Sequence, residues 1–170
     1  VNFGDDVFVN TRPQIRDLAA RIAKAGSLPE IECYEVGHVE EALRLKAEGL
    51  LRDPMHFQFV MGIAGAIAAT EQNLRYRVSL VPAGATWAVA AVGRHQRPMT
   101  ELAMRLGGHA RVGLEDNIYL DKGVLAEGSA PLVRLMDGVG TPVAVTVKVP
   151  ALPTVKVVAL ALLIVGGTGV

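Results

Sequence analysis

Residues 55–94 read MHFQFVMGIAGAIAATEQNLRYRVSLVPAGATWAVAAVGR. Two apolar runs rich in aromatic and β-branched residues, 55–61 and 86–92, flank a weaker helical stretch from Thr70 to Ser79. Strand, helix and strand in that order form a unit whose two strands lie parallel in one sheet.

The same alternation extends to both sides. Upstream, Ile31–Val36 reads as a strand, followed by a helix from about His38 to Glu48 that Gly49 stops. Downstream, Pro98 opens a helix with Met99, Leu102, Ala103 and Leu106 on one face, Gly107 and Gly108 end it, and Ala110–Leu114 reads as a strand. A further helical segment is expected from about Val124 to Met136. The first helix, 12–25, has the clearest start. Thr11 and Gln14 spell a capping box, Pro13 sits in the first turn, and Gly26 supplies a left-handed stop.

The strand centres near residues 33, 58, 89 and 112 are one strand plus one crossover helix apart. A closed (β/α)8 barrel takes about 250 residues, so four such units make half a barrel or a small open sheet. No G-x-G-x-x-G follows an early strand, which removes the support for a dinucleotide fold.

Composition narrows the partners. The chain has 170 residues, 51% of them hydrophobic, and its seventeen Lys plus Arg balance seventeen Asp plus Glu. Without a basic stripe or acidic tail there is no electrostatic case for nucleic acid or an anionic membrane, so the expected partner is a small molecule. A single cysteine, Cys33, and no recognisable signal peptide point to a reducing cytoplasm.

All the acidic residues lie at or before Asp137, and residues 138–170 carry only Lys148 and Lys156 as charges. We therefore divide the chain into a partial-barrel domain, 1–137, and an atypical apolar Val/Gly/Pro-rich tail, 138–170. The tail is either a strand-forming extension or a stretch translated out of frame. Its longest apolar run, Val157–Val165, is far short of the roughly 20 residues of a membrane helix.

The densest polar cluster, Arg111 to Asn117, ends the last strand, where ligands bind in parallel α/β folds. Adjacent Glu115 and Asp116 can divide the work of metal ligand and base, and Arg111 offers a fork for a carboxylate or phosphate. A helix cap with a surface ion pair explains the same residues equally well. Glu30, Glu32 and Tyr34 share one face of the first strand, and His56 and Gln58 share one face of the next. Gly62–Gly65 and the pair Gly93, Arg94 are places where a backbone can approach a phosphate. His38, His95 and His109 stand singly and read as structural or solvent-exposed.

The blocks NFGDDVFVNT, PEIECYEVGH, MHFQFVMG, ATWAVAAVGR and GGHARVGLEDN, spread over Asn2 to Val133, together resemble the β-keto acid cleavage enzymes of the 3-keto-5-aminohexanoate cleavage type. The resemblance implies the C-terminal half of a TIM barrel. It also implies zinc-dependent reaction of a β-keto acid with acetyl-CoA to give acetoacetate and a new acyl-CoA, an acyl-transferring step of amino acid catabolism. By motif, Glu115 corresponds to the zinc carboxylate, Asp116 to the acid/base beside it, and Arg111 to the arginine that positions that aspartate. Glu32 corresponds to a supporting glutamate, with Glu30 as its neighbour and rival. Gly93 and Arg94 are the expected coenzyme contacts, and the full-length protein is expected to be a homo-oligomer.

Two departures accompany the resemblance. The family's His-x-His zinc ligands occur nowhere in these residues, so the chain is expected to begin after the fourth strand, and the resemblance fades after Val133. The alternatives are an inactive half-barrel relic or assembly module, or another metal-dependent TIM-barrel lyase or aldolase. Because a catalytic zinc takes three protein ligands, equilibrium dialysis of this chain at micromolar zinc is expected to show no binding. Stoichiometric tight binding would refute that.

Overall fold

The computed structural model describes residues 2–3, 5–126, 144–146 and 162–164. Its centre is a four-stranded parallel sheet in the order β3 (Glu30–Cys33), β4 (His56–Met61), β5 (Thr86–Ala91) and β6 (His109–Arg111). Helices α2 (Val36–Ala47), α3 (Glu71–Ser79) and α4 (Gln96–Arg105) make the crossovers. A short hairpin, β1 (Asn2–Phe3) with β2 (Asp6–Val7), and helix α1 (Arg12–Lys24) precede them.

Sequence chemistry accounts for the element ends. At α1, the Gln14 N–H donates to Thr11 Oγ1 at 3.4 Å, and Gln14 Oε1 accepts from the Thr11 N–H at 2.9 Å, completing the capping box. Gly26, at φ +75°, is the left-handed stop. β3 ends at Cys33 rather than Val36, because the Tyr34 N–H donates to His38 Nδ1 at 3.1 Å and α2 starts at Val36. α4 begins two residues before Pro98, continuing directly from a 3-10 turn at Gly93–His95. β6 stops at Arg111 rather than Leu114, since the Asp116 and Asn117 N–H groups both turn back to the Gly113 carbonyl.

The helix expected from Val124 begins instead as strand. β7 (Tyr119–Asp121) pairs antiparallel with β8 (Val124–Leu125) around Gly123 at φ +74°. Residues 127–136 of that expectation lie outside the described residues. In the tail, β9 (Ala144–Thr146) and β10 (Leu162–Ile164) pair antiparallel, and the rest of 138–170 lies outside the described residues.

The sheet has two unlike faces. Ile31, Cys33, Phe57, Phe59, Met61, Trp87, Val89 and Ala91 alternate onto one face and pack against Val39, Ala42, Leu45, Leu74, Met99 and Ala103 of the helices. Burying each large side chain there contributes about 1.5–3 kcal/mol. The register places Glu32, Gln58, Ala88 and His109 side by side on the opposite face, with Arg111 beside Ala90. Strands of a parallel sheet covered by apolar layers read as continuous hydrophobic runs. Polar alternation here marks the second face as the one that carries chemistry.

A buried arginine joins the helix layer to the strand ends. Arg77 of α3 is fully buried, its Nη1 donates to the Val60 carbonyl at 3.0 Å, its Nη2 donates to the Cys33 carbonyl, and its guanidinium lies 4.6 Å from the Phe59 ring centroid. Burial pushes its pKa down to about 10, so the group still enters the core charged at neutral pH. Arg77→Met leaves two carbonyls without their donor, and the cost of buried unsatisfied groups puts the loss at about 2–4 kcal/mol. Urea unfolding is expected to show a lower midpoint at unchanged slope. An unchanged midpoint would mean that the bonds merely offset the desolvation of the charge.

Candidate active site at the carboxyl ends of the strands

Arg111, the last residue of β6, organises this end of the sheet. Its Nε and Nη2 donate to Asp116 Oδ2 and Oδ1 at 3.1 and 2.9 Å, a two-pronged ion pair. Its Nη1 donates to Glu32 Oε1 at 3.3 Å. Glu32 lies on β3, three strand spacings away, or about 14 Å across a flat sheet. Side chains standing perpendicular to a flat sheet would not meet across that gap, so this face of the sheet is concave. The His56 and His109 rings support the same curvature: they lie on either side of β5 with centroids 6.2 Å apart.

Glu32 accepts two further bonds, from the Tyr34 hydroxyl at 3.1 Å and from Gln58 Nε2 at 3.3 Å. Burial, followed by the charge of Glu32, pushes the Tyr34 pKa up to about 12, which keeps its hydroxyl a donor at neutral pH. Gln58 is buried on the concave face.

Asp116 is buried, whereas Glu115 turns outward with its side chain 69% exposed and Oε2 3.4 Å from Arg111 Nη2. The loop between them and β5 is pinned twice. The Gly93 N–H donates to the Asp116 carbonyl at 2.7 Å, and Gln96 Nε2 donates to the Gly113 carbonyl at 3.3 Å.

Both pKa values of the pair are raised, which disfavours the charge on Asp116 and favours that on Arg111. Burial raises the Asp116 pKa above the ordinary carboxylate range despite the opposing pull of Arg111. The Arg111 pKa is also raised: burial acts to lower it, but the negative charge and hydrogen bonds of Asp116, with Glu115 and Glu32, outweigh that. The two-pronged ion pair holds Asp116 in one orientation, as a carboxylate with raised proton affinity. That is the profile of a group that takes and returns a proton.

The structure thus brings Arg111, Asp116 and Glu32 into one network, with Glu115 at its outer edge. Glu30, the rival of Glu32, receives no hydrogen bond from Arg111 among the described residues, and burial raises its pKa. Gly93 touches the network through its backbone, and Arg94 lines a groove with the loop of residues 62–70. Sequence reading missed Tyr34 and Gln58 as partners of Glu32. Their faces were legible, but the register that sets Gln58 directly beside Glu32 was not. For zinc, the described residues hold no cluster of three or more His, Cys, Asp or Glu side chains that could bind a metal ion. Glu115 is a single donor, and these residues by themselves do not make a zinc centre.

A family model described as beta-keto acid cleavage enzyme matches residues 1–151, past Val133 where the motifs fade. Among curated relatives, the chain is 43% identical over 134 residues to the 3-keto-5-aminohexanoate cleavage enzyme of Fusobacterium nucleatum, covering 78% of this chain and 48% of that protein. It is 42% identical to the enzyme of the same name from Acetoanaerobium sticklandii, covering 84% and 54%. With the 3-oxoadipate:acetyl-CoA acetyltransferase of Cupriavidus necator it shares 37% identity, covering 89% and 56%. The chain spans about half the length of these relatives. No helix among the described residues is long and apolar enough to cross a membrane.

The coupling between Arg111 and Asp116 can be read directly. In Arg111→Met the Asp116 carboxyl loses its lowering influence while its burial remains, so its pKa is expected to rise further. Carbon-detected NMR titration of the Asp116 side chain measures this, and a pKa that falls or stays fixed would contradict the geometry.

Proposed function

Because the chain belongs to the beta-keto acid cleavage enzyme family, we propose that its network of Glu32, Arg111 and Asp116 serves the exchange of a β-keto acid with acetyl-CoA, giving acetoacetate and a new acyl-CoA. The printed names of the relatives support this reading: two are 3-keto-5-aminohexanoate cleavage enzymes and a third is an acetyl-CoA acetyltransferase. The observation that carries it is the buried Asp116 carboxylate, with raised proton affinity and clamped by two Arg111 nitrogens.

In this reading, Asp116 accepts a proton from the carbon between the keto and carboxylate groups, which two carbonyls make acidic. The resulting carbanion attacks the acetyl carbonyl and expels the CoA thiolate. The thiolate then attacks the original keto carbon, the adjacent carbon–carbon bond breaks, and acetoacetate leaves with its carbon reprotonated from Asp116. One carbon–carbon and one carbon–sulfur bond form, one of each breaks, and the proton returns to where it began. Arg111 keeps the carboxylate aimed, and Glu32, itself held by Tyr34 and Gln58, fixes the far side of the guanidinium. Glu115 is proposed as one carboxylate donor to zinc, the other ligands not being among the described residues, and no step above depends on it. Gly93 and Arg94 are proposed as coenzyme contacts.

The test uses acetyl-CoA carrying a labelled acetyl group with 3-keto-5-aminohexanoate or 3-oxoadipate. Label in acetoacetate that requires the β-keto acid supports the reading. Asp116→Asn is expected to lower kcat by about 10²-fold or more. Acetoacetate formed equally well by that variant would sink the assignment of Asp116, and β-keto acid cleavage without acetyl-CoA would favour a lyase or aldolase.

A further inference from the structure

A second concavity lies beside the Arg111 network. It is a groove of about 470 Å³ between the loop that follows β4 and the 3-10 turn that follows β5, lined by residues 62–66 and 68–70 with Arg94 and His95. Six of its ten lining residues are glycine or alanine, so little side-chain bulk fills that side of it. The loop is nevertheless built. The Gly62 N–H donates to the Ile67 carbonyl at 3.2 Å, Asn73 Nδ2 donates to the Ala68 carbonyl at 2.9 Å, and the Asn73 N–H donates to Thr70 Oγ1 at 3.3 Å. Residues 63–66 form a tight turn, with the Ala66 N–H on the Ile63 carbonyl and Gly65 at φ +86°. Only a residue that tolerates positive φ fits there without strain.

The two walls meet at Gly62. A Cβ at that position would lie 3.0 Å from His95 Cδ2 and 3.3 Å from Ala69 Cβ, and its φ of +83° excludes ordinary side chains as well. Gly62 is therefore what lets the His95 ring, and with it the turn bearing Arg94, close onto the loop.

Among the described residues, Arg94 and Arg52 are the exposed arginines that reach no carboxylate, and Arg52 is taken up by the Gly26 carbonyl. Arg12, Arg16, Arg44, Arg75, Arg97 and Arg105 each reach a carboxylate. Arg94 is exposed, bonds only through Nε to His95 Nε2 at 3.4 Å, and has no carboxylate partner among the described residues. Its Nη groups have no hydrogen-bond partner among the described residues, and the groove they line is mostly glycine and alanine. A guanidinium fork lining an open concavity of small residues suits a phosphate. Neighbouring Gly93 donates to the Asp116 carbonyl at 2.7 Å, so the groove opens one residue away from the loop that holds the acid/base carboxylate.

We propose that this groove is a phosphate subsite, and that it takes the diphosphate end of acetyl-CoA while the thioester reaches Asp116. This rests on the acetyl-CoA reading above and adds to it the loop of residues 62–70, His95 as the wall that carries Arg94, and Gly62 as the contact that closes it. A small keto acid does not need a groove of this size in addition to the Arg111 network. A coenzyme whose phosphates sit far from its reacting sulfur does.

The experiment is calorimetric titration of the full chain with CoA, with pantetheine, which lacks the phosphates, and with inorganic pyrophosphate, repeated for Arg94→Ala and Gly62→Ala. CoA and pyrophosphate are expected to bind, with pantetheine at least tenfold weaker than CoA. Arg94→Ala should weaken CoA and pyrophosphate by tenfold or more and leave pantetheine unchanged. Gly62→Ala should weaken the same two ligands by pushing His95 outward. CoA binding that both variants leave intact overturns the subsite but not the acetyl-CoA reading. Pyrophosphate binding that depends on Arg94, with no binding of CoA, overturns the coenzyme as occupant and counts against the acetyl-CoA reading. Binding of neither ligand overturns the proposal, and the acetoacetate assay then decides the reading beneath it.

Discussion

The contact between Arg111 and Glu32 spans the whole parallel sheet, from its last strand to its first. It can exist only if the strands curl, because strand spacing alone would hold the two side chains well apart. Curling has two further effects. It brings the inner-face side chains of successive strands toward one point, and it pushes the outer-face residues apart, leaving room for the helices to bury Phe57, Phe59, Trp87 and Val89. Right-handed strand twist supplies the tendency to curl. The ion pair and the alternating apolar and polar residues give it a direction.

Much of this was legible in the sequence. The four strands and their crossover helices follow from apolar runs and from capping residues such as Thr11, Gln14, Gly26 and Gly49. The polar cluster after β6 is legible because parallel folds place function at strand ends. What the sequence does not show is distance. Tyr34 and Gln58 share a face with the candidates, but only the strand register, which pairs Gln58 with Glu32, and the early end of β3 bring both onto the Glu32 carboxylate. His95 read as a lone histidine because its significance comes from a glycine thirty-three positions earlier in the chain. The Val124 segment misled for a different reason. Its apolar residues suit a helix as well as a strand, and the turn at Gly123 decides between them.

The site and the core are linked mechanically through Arg77. Its guanidinium holds the carbonyls of Cys33 and Val60, one residue beyond Glu32 and two residues before Gly62 respectively. One buried side chain on α3 thus sets the exits of two strands, one leading to the carboxylate of the polar network and the other to the small-residue loop. A charge in the core is expensive. Its placement at these exits means that the cost is spent where backbone position matters most to the side chains that face the concave surface.

Cys33 lies at the same junction. It is the chain's only cysteine, it is fully buried, and burial pushes its thiol up to about 12. At neutral pH the group stays a thiol, and only the thiolate is nucleophilic. In the proposed exchange with acetyl-CoA, the acyl group has to pass between the intended carbon and sulfur atoms and not onto the protein. With its one thiol sealed behind Arg77 and the aromatic layer, the chain offers that exchange no competing cysteine nucleophile.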